Sequence, residues 1–258
     1  MLKNPMHRQV LILACAQALF QIVSVMVMTV GGLAGGQIAA SPRWATLPIA
    51  TMFLGTATMM FPASMWMARA GRRAGFLIGT TLGVAGGLVG AWGIHQGSLP
   101  LLSFGTFLVG CYQAFAQFYR FAASEVADAA FRPRAISLVM AGGVVAALAG
   151  PLLARLGGPL LSPEYLGSFL ILAVVPMVAA GVLLNLHIPA PAASTGPVDK
   201  GRPWQQIVAQ PAYLVALFGA ATGYGIMILA MTATPIAMRL HHHELGAAAT
   251  VIQLHVLG

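Results

Sequence analysis

The chain is 258 residues long, 59% hydrophobic and only 7% charged, with 30 glycines and 14 methionines, whereas a soluble domain is about 25% charged. That composition excludes an ordinary water-soluble enzyme and a disordered polar segment, and it suits a chain dissolved in lipid. The formal charge of +8 would point a polar chain toward nucleic acid; here it has to be read from where the few cations stand between apolar runs.

Apolar stretches of about 18 residues or more, the length that crosses roughly 30 Å of hydrocarbon as helix, recur along the chain. The predicted spans are 9–31, 46–67, 75–95, 99–122, 135–156, 166–187 and 211–235, and an eighth begins near Ala247 and reaches Gly258 in mid-helix. The expected fold class is an all-α polytopic membrane protein with about seven complete transmembrane helices plus a truncated eighth, the chain being a C-terminally truncated fragment. Lys3, His7 and Arg8 precede the first run as they would a secretory signal. The run exceeds the usual signal core of about 7 to 15 residues and no clean cleavage pattern closes it, so a retained helix is expected. Cys15 and Cys111 fall inside spans, where cysteine acts as a small apolar residue, and neither a disulfide nor a metal site is implied.

Polar residues within the spans are few, and their spacing is informative because an unpaired polar group in lipid is costly. In span one, Gln17, Gln21 and Ser24 follow i, i+4 and i+7 and share one helical face. Between spans two and three, SMWMARAGRRAGF (64–76) gathers Arg69, Arg72 and Arg73 around Gly71. Span four carries a second stripe, Thr106, Gly110, Gln113, Gln117 and Arg120, with Glu125 and Asp128 just beyond it. Gln113 and Gln117 are candidates to hydrogen-bond a ligand, and Arg120 to pair an anionic or electron-rich group. Span five, AGGVVAALAGPLLARLGG (141–158), contains Gly142, Gly143, Gly150 and Pro151; small residues let helices approach in lipid, and the proline frees a carbonyl and permits bending. MARAGRR (67–73) and LARLGGP (153–159) share Ala-Arg-x-Gly after the second and fifth spans, on opposite membrane faces, as an inverted three-plus-three repeat requires. The Pro-rich stretch IPAPAASTGPVDKGRPW (188–204) follows six spans. On span seven, Tyr224, Met227 and Met231 share a face, with Tyr224 the candidate ligand contact. His241, His242, His243 and Glu244 form a loop cluster without metal-ligand spacing. All five acids lie at span ends or in loops, so coupling is expected to use helices missing from this fragment, another group such as His255, or no ion at all.

With the amino terminus inside, Lys3, Arg8, Arg69, Arg72, Arg73, Arg120, Arg132, Arg134, Lys200 and Arg202 are inner, ten of the thirteen Lys and Arg, and Arg43, Arg155 and Arg239 are outer. The positive-inside rule therefore predicts a cytoplasmic amino terminus. The cations are accounted for by topology, and no nucleic-acid partner is expected.

The stretch at 64–76 resembles the signature loop between helices two and three of the major facilitator superfamily: Arg69, Gly71, Arg72 and Arg73 match its basic half, while Ser64 and Ala68 stand where the family has a glycine and an acid. FRPRAISL (131–138) and the glycine-rich span five ending in Gly150-Pro151 are similar to further family motifs. The resemblance implies a six-helix bundle at 1–187, a cytoplasmic linker at 188–204 and the start of a second bundle at 205–258. It implies that the arginines of the loop latch a cytoplasmic gate; with Ala68 in place of the family's acid, Glu125 and Asp128 after span four are the nearest candidates for the carboxylates. It also implies that helices one, four and seven face a central cavity, placing Gln17, Gln21, Gln113, Gln117, Arg120 and Tyr224 on its wall. The expected function is secondary active or facilitative transport of a small organic solute across a bacterial inner membrane by alternating access, with or without a coupling ion, without cofactor or metal, by a chain monomeric at full length. The alternatives are a membrane receptor or scaffold, and an intramembrane enzyme, for which no catalytic set such as HExxH is present.

Overall fold

The computed structural model describes residues 4–188 and 202–257; most of the expected linker lies outside them. α1 (Pro5–Ile38) is about 51 Å long at 1.5 Å per residue and overshoots the hydrocarbon. It starts earlier than its apolar run because Asn4 caps it, the side-chain oxygen accepting from the Met6 N–H at 3.0 Å, with Pro5 at the first turn. α2 (Leu47–Ala70) and α3 (Arg72–His95) are separated by Gly71 alone, whose φ of 89° is a conformation that favours glycine. Span four is α4 (Leu99–Ala116) continued by α5 (Tyr119–Val126), and span five is α6 (Arg132–Met140) continued by α7 (Gly142–Gly157). α8 (Leu166–Leu183), α9 (Trp204–Val208), α10 (Pro211–Leu240) and α11 (Leu245–Leu257) complete the chain.

Seven helical units among the described residues are long and apolar enough to cross a membrane, in register with the seven predicted spans. The sixth is shorter than expected: the helix ends at Leu183, not 187. Ile188 precedes a proline, which disfavours helical backbone, and the His187 N–H instead donates to Gln9 Oε1 on α1 at 2.8 Å. The seventh is longer, because α10 continues through Pro235 to Leu240.

Packing follows a pattern. α1 lies along α7 and α8, α4 packs on α2 and α3, and α3 packs on α8. Exchanging span one with four, two with five and three with six maps this set onto itself: two–four becomes five–one, three–four becomes six–one, and three–six is unchanged. Such closure is what an inverted repeat produces. The tightest crossings are made where glycines remove side chains. At α2/α4, a methyl group on Gly55 or Gly110 would collide with the backbone carbonyls of Phe107 and Met52 respectively, and at α1/α7 one on Gly142 would lie 2.9 Å from the Ala18 nitrogen. α3 presents Gly83, Gly87 and Gly90 to Pro176, Ala173 and Phe169 of α8.

The helix ends define two faces. The amino-terminal face carries Arg8, Arg69, Arg72, Arg73, Arg132, Arg134 and Arg202, and the far face carries Arg43, Arg155 and Arg239. α10 and α11 meet the first six spans toward the far face, where Ile236 comes against Gly32 and Leu245 against Gly158. In α10 only Met231 and Pro235 are buried, both in its far half.

Candidate functional site

Where α1, α2, α7, α10 and α11 converge lies a cavity of about 390 Å³. Its wall includes Gln21 and Ser24 of α1, Phe53 of α2, Tyr224 and Met227 of α10, and His255 of α11. Gly143 shapes one side: a Cβ there would come within 3.0 Å of Gln21 Oε1, so the glycine leaves room for the amide. That oxygen is buried and accepts no hydrogen bond from the protein. An unsatisfied buried acceptor costs about 1–3 kcal/mol, which a donor arriving with a ligand or water would recover. Across the cavity the Tyr224 ring meets the Phe53 ring edge-on, centroids 6.0 Å apart and planes at 88°, a favoured aromatic geometry.

The predicted stripes divide. Gln21 and Tyr224 share this cavity. Gln17 and Gln113 are buried in the bundle, the latter with Oε1 unpartnered. Gln117 is half-buried at the break between α4 and α5, and Arg120 is exposed with its guanidinium 5.0 Å from the Phe121 ring centre. Higher on span four the stripe packs on α2: Thr106 Oγ1 lies 2.9 Å from Thr51 Oγ1, and the Gly110 carbonyl accepts from Thr56 Oγ1 at 3.1 Å. Span-four residues do not line the cavity formed with α10. Phe53, which does, sits in a mostly apolar stretch, IATMFLGTATMM, and no sequence signal separates it from the apolar residues around it.

At the amino-terminal face the arginine loop has found a carboxylate. Arg72 grips Glu125 with both arms, Nη2–Oε1 at 2.6 Å and Nε–Oε2 at 3.2 Å, and its guanidinium carbon lies 5.5 Å from the Phe118 ring centre. The fork geometry that makes such a pair is specific to arginine. Gly71 lets the two helices turn directly into one another, so that Arg72 opens α3 opposite the end of α5. Arg73 Nη2 donates to the Leu184 carbonyl at 2.7 Å, covering the end of α8, while Arg69 is exposed. Asp128, the other candidate acid, is used locally: Oδ1 accepts from the Phe131 N–H at 2.8 Å at the entry to α6. Gly150 and Pro151 are both buried, Gly150 against Val25 of α1.

The far face holds a further link, made by residues that carry no signal in the sequence. Glu164, in the turn before α8, accepts from Gln37 Nε2 of α1 at 2.6 Å and lies 3.9 Å from Arg239 Nη2 at the end of α10. The three residues come from distant parts of the chain, and none stands in a motif. The neighbouring His241, His242 and His243 form the turn between α10 and α11.

Residues 13–258 match the family model described as Major Facilitator Superfamily. Over 253 residues the chain is 37% identical to the riboflavin transporter RfnT of Brucella anthropi, covering 97% of this chain and 64% of that protein. Over 248 residues it is 30% identical to an uncharacterized MFS-type transporter, YdeG, of Bacillus subtilis, covering 89% and 56% respectively. Its fold is similar to the crystal structure of a D-xylose-proton symporter, with a TM-score of 0.66 at 14% identity, over 97% of this chain and 66% of that one. The chain thus spans less than two thirds of the length of the two sequence relatives.

Proposed function

Because the chain belongs to the major facilitator superfamily, we propose that it supplies the first six-helix bundle (1–187), a linker (188–204) and the opening helices of the second bundle (205–258) of a secondary transporter for a small organic solute. The observation that carries this reading is the cavity walled by both groups of helices, with Gln21, Ser24 and Phe53 on one side and Tyr224, Met227 and His255 on the other. A site between two bundles is reached from alternate sides as they rock. The chain acts as a carrier and not as an enzyme. Its amino-terminal face, with most of the cations, is cytoplasmic in a bacterial inner membrane. Contacts between the two helix groups cluster toward the far face, where Glu164 links Gln37 and Arg239, so the cavity is entered from the cytoplasmic side in this arrangement.

The solute is a planar, hydrogen-bonding heteroaromatic of riboflavin's kind. The 37% identical relative is a riboflavin transporter, and the cavity supplies the matching chemistry: Phe53, Tyr224 and Met227 to cover an apolar ring, Gln21 and Ser24 to meet a polar edge. Gln117, at the break between α4 and α5, and Arg120, on α5, are assigned to the approach of such a polar solute from the amino-terminal face.

The test is uptake of labelled riboflavin by cells that lack other flavin uptake and express the full-length protein. Uptake above the vector control, reduced about tenfold or more by Tyr224→Ala and by Gln21→Leu with membrane levels unchanged, is the expected result. Uptake equal to the control removes the proposed solute class. Uptake indifferent to both substitutions removes the cavity as its site.

A further inference from the structure

A second groove, on the opposite side of the same two helices, is independent of the transport reading and requires that this side of a membrane-spanning chain meets lipid. It lies between α7 and α11, encloses about 390 Å³, and is lined from α7 by Val145, Leu148, Leu152 and Arg155 and from α11 by Gly246 and Ala249. Val145 and Leu148 each stand two residues beyond Gly143 and Ala146, which line the central cavity, and two residues turn a helix by about 200°. The groove therefore faces away from the central cavity, on the outer side of the described helices.

The stripe on α7 has a direction. Val145, Leu148 and Leu152 are exposed apolar side chains, and Arg155 ends the row. Ten residues of helix from Val145 to Arg155 rise about 15 Å, half of a hydrocarbon core of about 30 Å. The groove thus runs the depth of one leaflet, with its cation at headgroup level. Arg155 is exposed, and no carboxylate lies within ion-pair distance of it among the described residues, since Glu164 engages Arg239 and Glu125 engages Arg72. Gly246 sits under the arginine stem, where an added Cβ would be 3.4 Å from Cδ, and keeps the α11 wall flat at the charged end. The Thr250 hydroxyl is turned inward onto the Gly246 carbonyl at 2.9 Å.

We propose that this groove binds an anionic phospholipid, one acyl chain lying along Val145, Leu148 and Leu152 and the phosphate held by the Arg155 guanidinium. A guanidinium is weakly hydrated and presents a planar fork to phosphate oxygens, which suits it to this level of the bilayer better than an ammonium. The apolar length of the groove selects a lipid over free phosphate. Bound there, the lipid touches α7 and α11 together and reinforces their contact near the far face.

The experiment is native mass spectrometry of the purified full-length protein exposed to equal amounts of phosphatidylglycerol and phosphatidylcholine with identical chains. The parent is expected to retain phosphatidylglycerol preferentially. Arg155→Gln, at an exposed position, lowers that occupancy about fivefold, the worth of one basic side chain at a lipid surface. Leu152→Trp fills the groove while keeping the cation and also abolishes retention, whereas Arg43→Gln, which removes a far-face cation outside the groove, leaves it unchanged. Equal retention of the two lipids, unchanged retention in Arg155→Gln, an equal loss in Arg43→Gln, or displacement of the lipid by soluble glycerol phosphate would each overturn the assignment.

Discussion

One added methyl group at Gly110 is expected to force α2 and α4 apart. The Cβ would fall on the Met52 carbonyl oxygen, 2.8 Å from the Met52 carbonyl carbon and 3.0 Å from the Thr56 nitrogen, all backbone atoms of the facing helix that no rotamer change can move. Overpacking of this kind costs about 1–3 kcal/mol, and contact with rigid backbone places it at the upper end. Alanine recovers about 1 kcal/mol of helix propensity, leaving a net loss of about 2 kcal/mol. At about 2–4 °C per kcal/mol for a chain of this size, Gly110→Ala melts about 4–8 °C below the parent. Gly142→Ala, at the pseudo-equivalent α1/α7 crossing, meets backbone at 2.9 to 3.2 Å and costs less. Gly181→Ala, with nothing within 4 Å, keeps the propensity gain and melts no lower than the parent. Thermal unfolding of the three variants in detergent, followed by loss of the monodisperse peak in size-exclusion chromatography, gives the order directly. A Gly110→Ala protein that melts with the parent, or a Gly181→Ala protein that falls as far, refutes the claim that close backbone approach at α2/α4 holds the bundle.

Further outcomes follow from the two ion-pair sites. Arg72→Gln and Glu125→Gln each destabilise slightly, and the double variant is no worse than either alone; the coupling, for a pair this exposed, is about 0.5–1 kcal/mol, and full additivity in the double-mutant cycle would contradict the pairing. On the proposed rocking motion, Glu164→Ala, which removes the acceptor for Gln37 and the charge facing Arg239, moves the balance between far-face-closed and far-face-open forms about twofold toward open, as measured by spin-label distances between the ends of α1 and α10. Unchanged distance distributions would show that the far-face link is incidental.

Span number was legible in the sequence because it is a partition property: a helix in lipid satisfies its own backbone, so an apolar run of sufficient length is already a structural statement. The arginine loop was legible for a similar reason, since charge in so oily a chain has few places to stand, and Glu125 was a partner within reach of Arg72. The limits of span six were not, because His187 leaves the helix to bond Gln9, a residue 178 positions earlier. Nor were Phe53 on the cavity wall or Glu164 between Gln37 and Arg239, since which apolar residue faces a void and which polar ends meet depend on how separate helices cross. The glutamine stripes show the same division. Their shared helical faces came from spacing alone, yet Gln21 reached the cavity because Gly143 on another helix makes room for it, and Thr106 was drawn onto Thr51 of α2. Local periodicity determined which side chains travel together; the crossings, set by glycines that admit backbone to backbone, decided where they went.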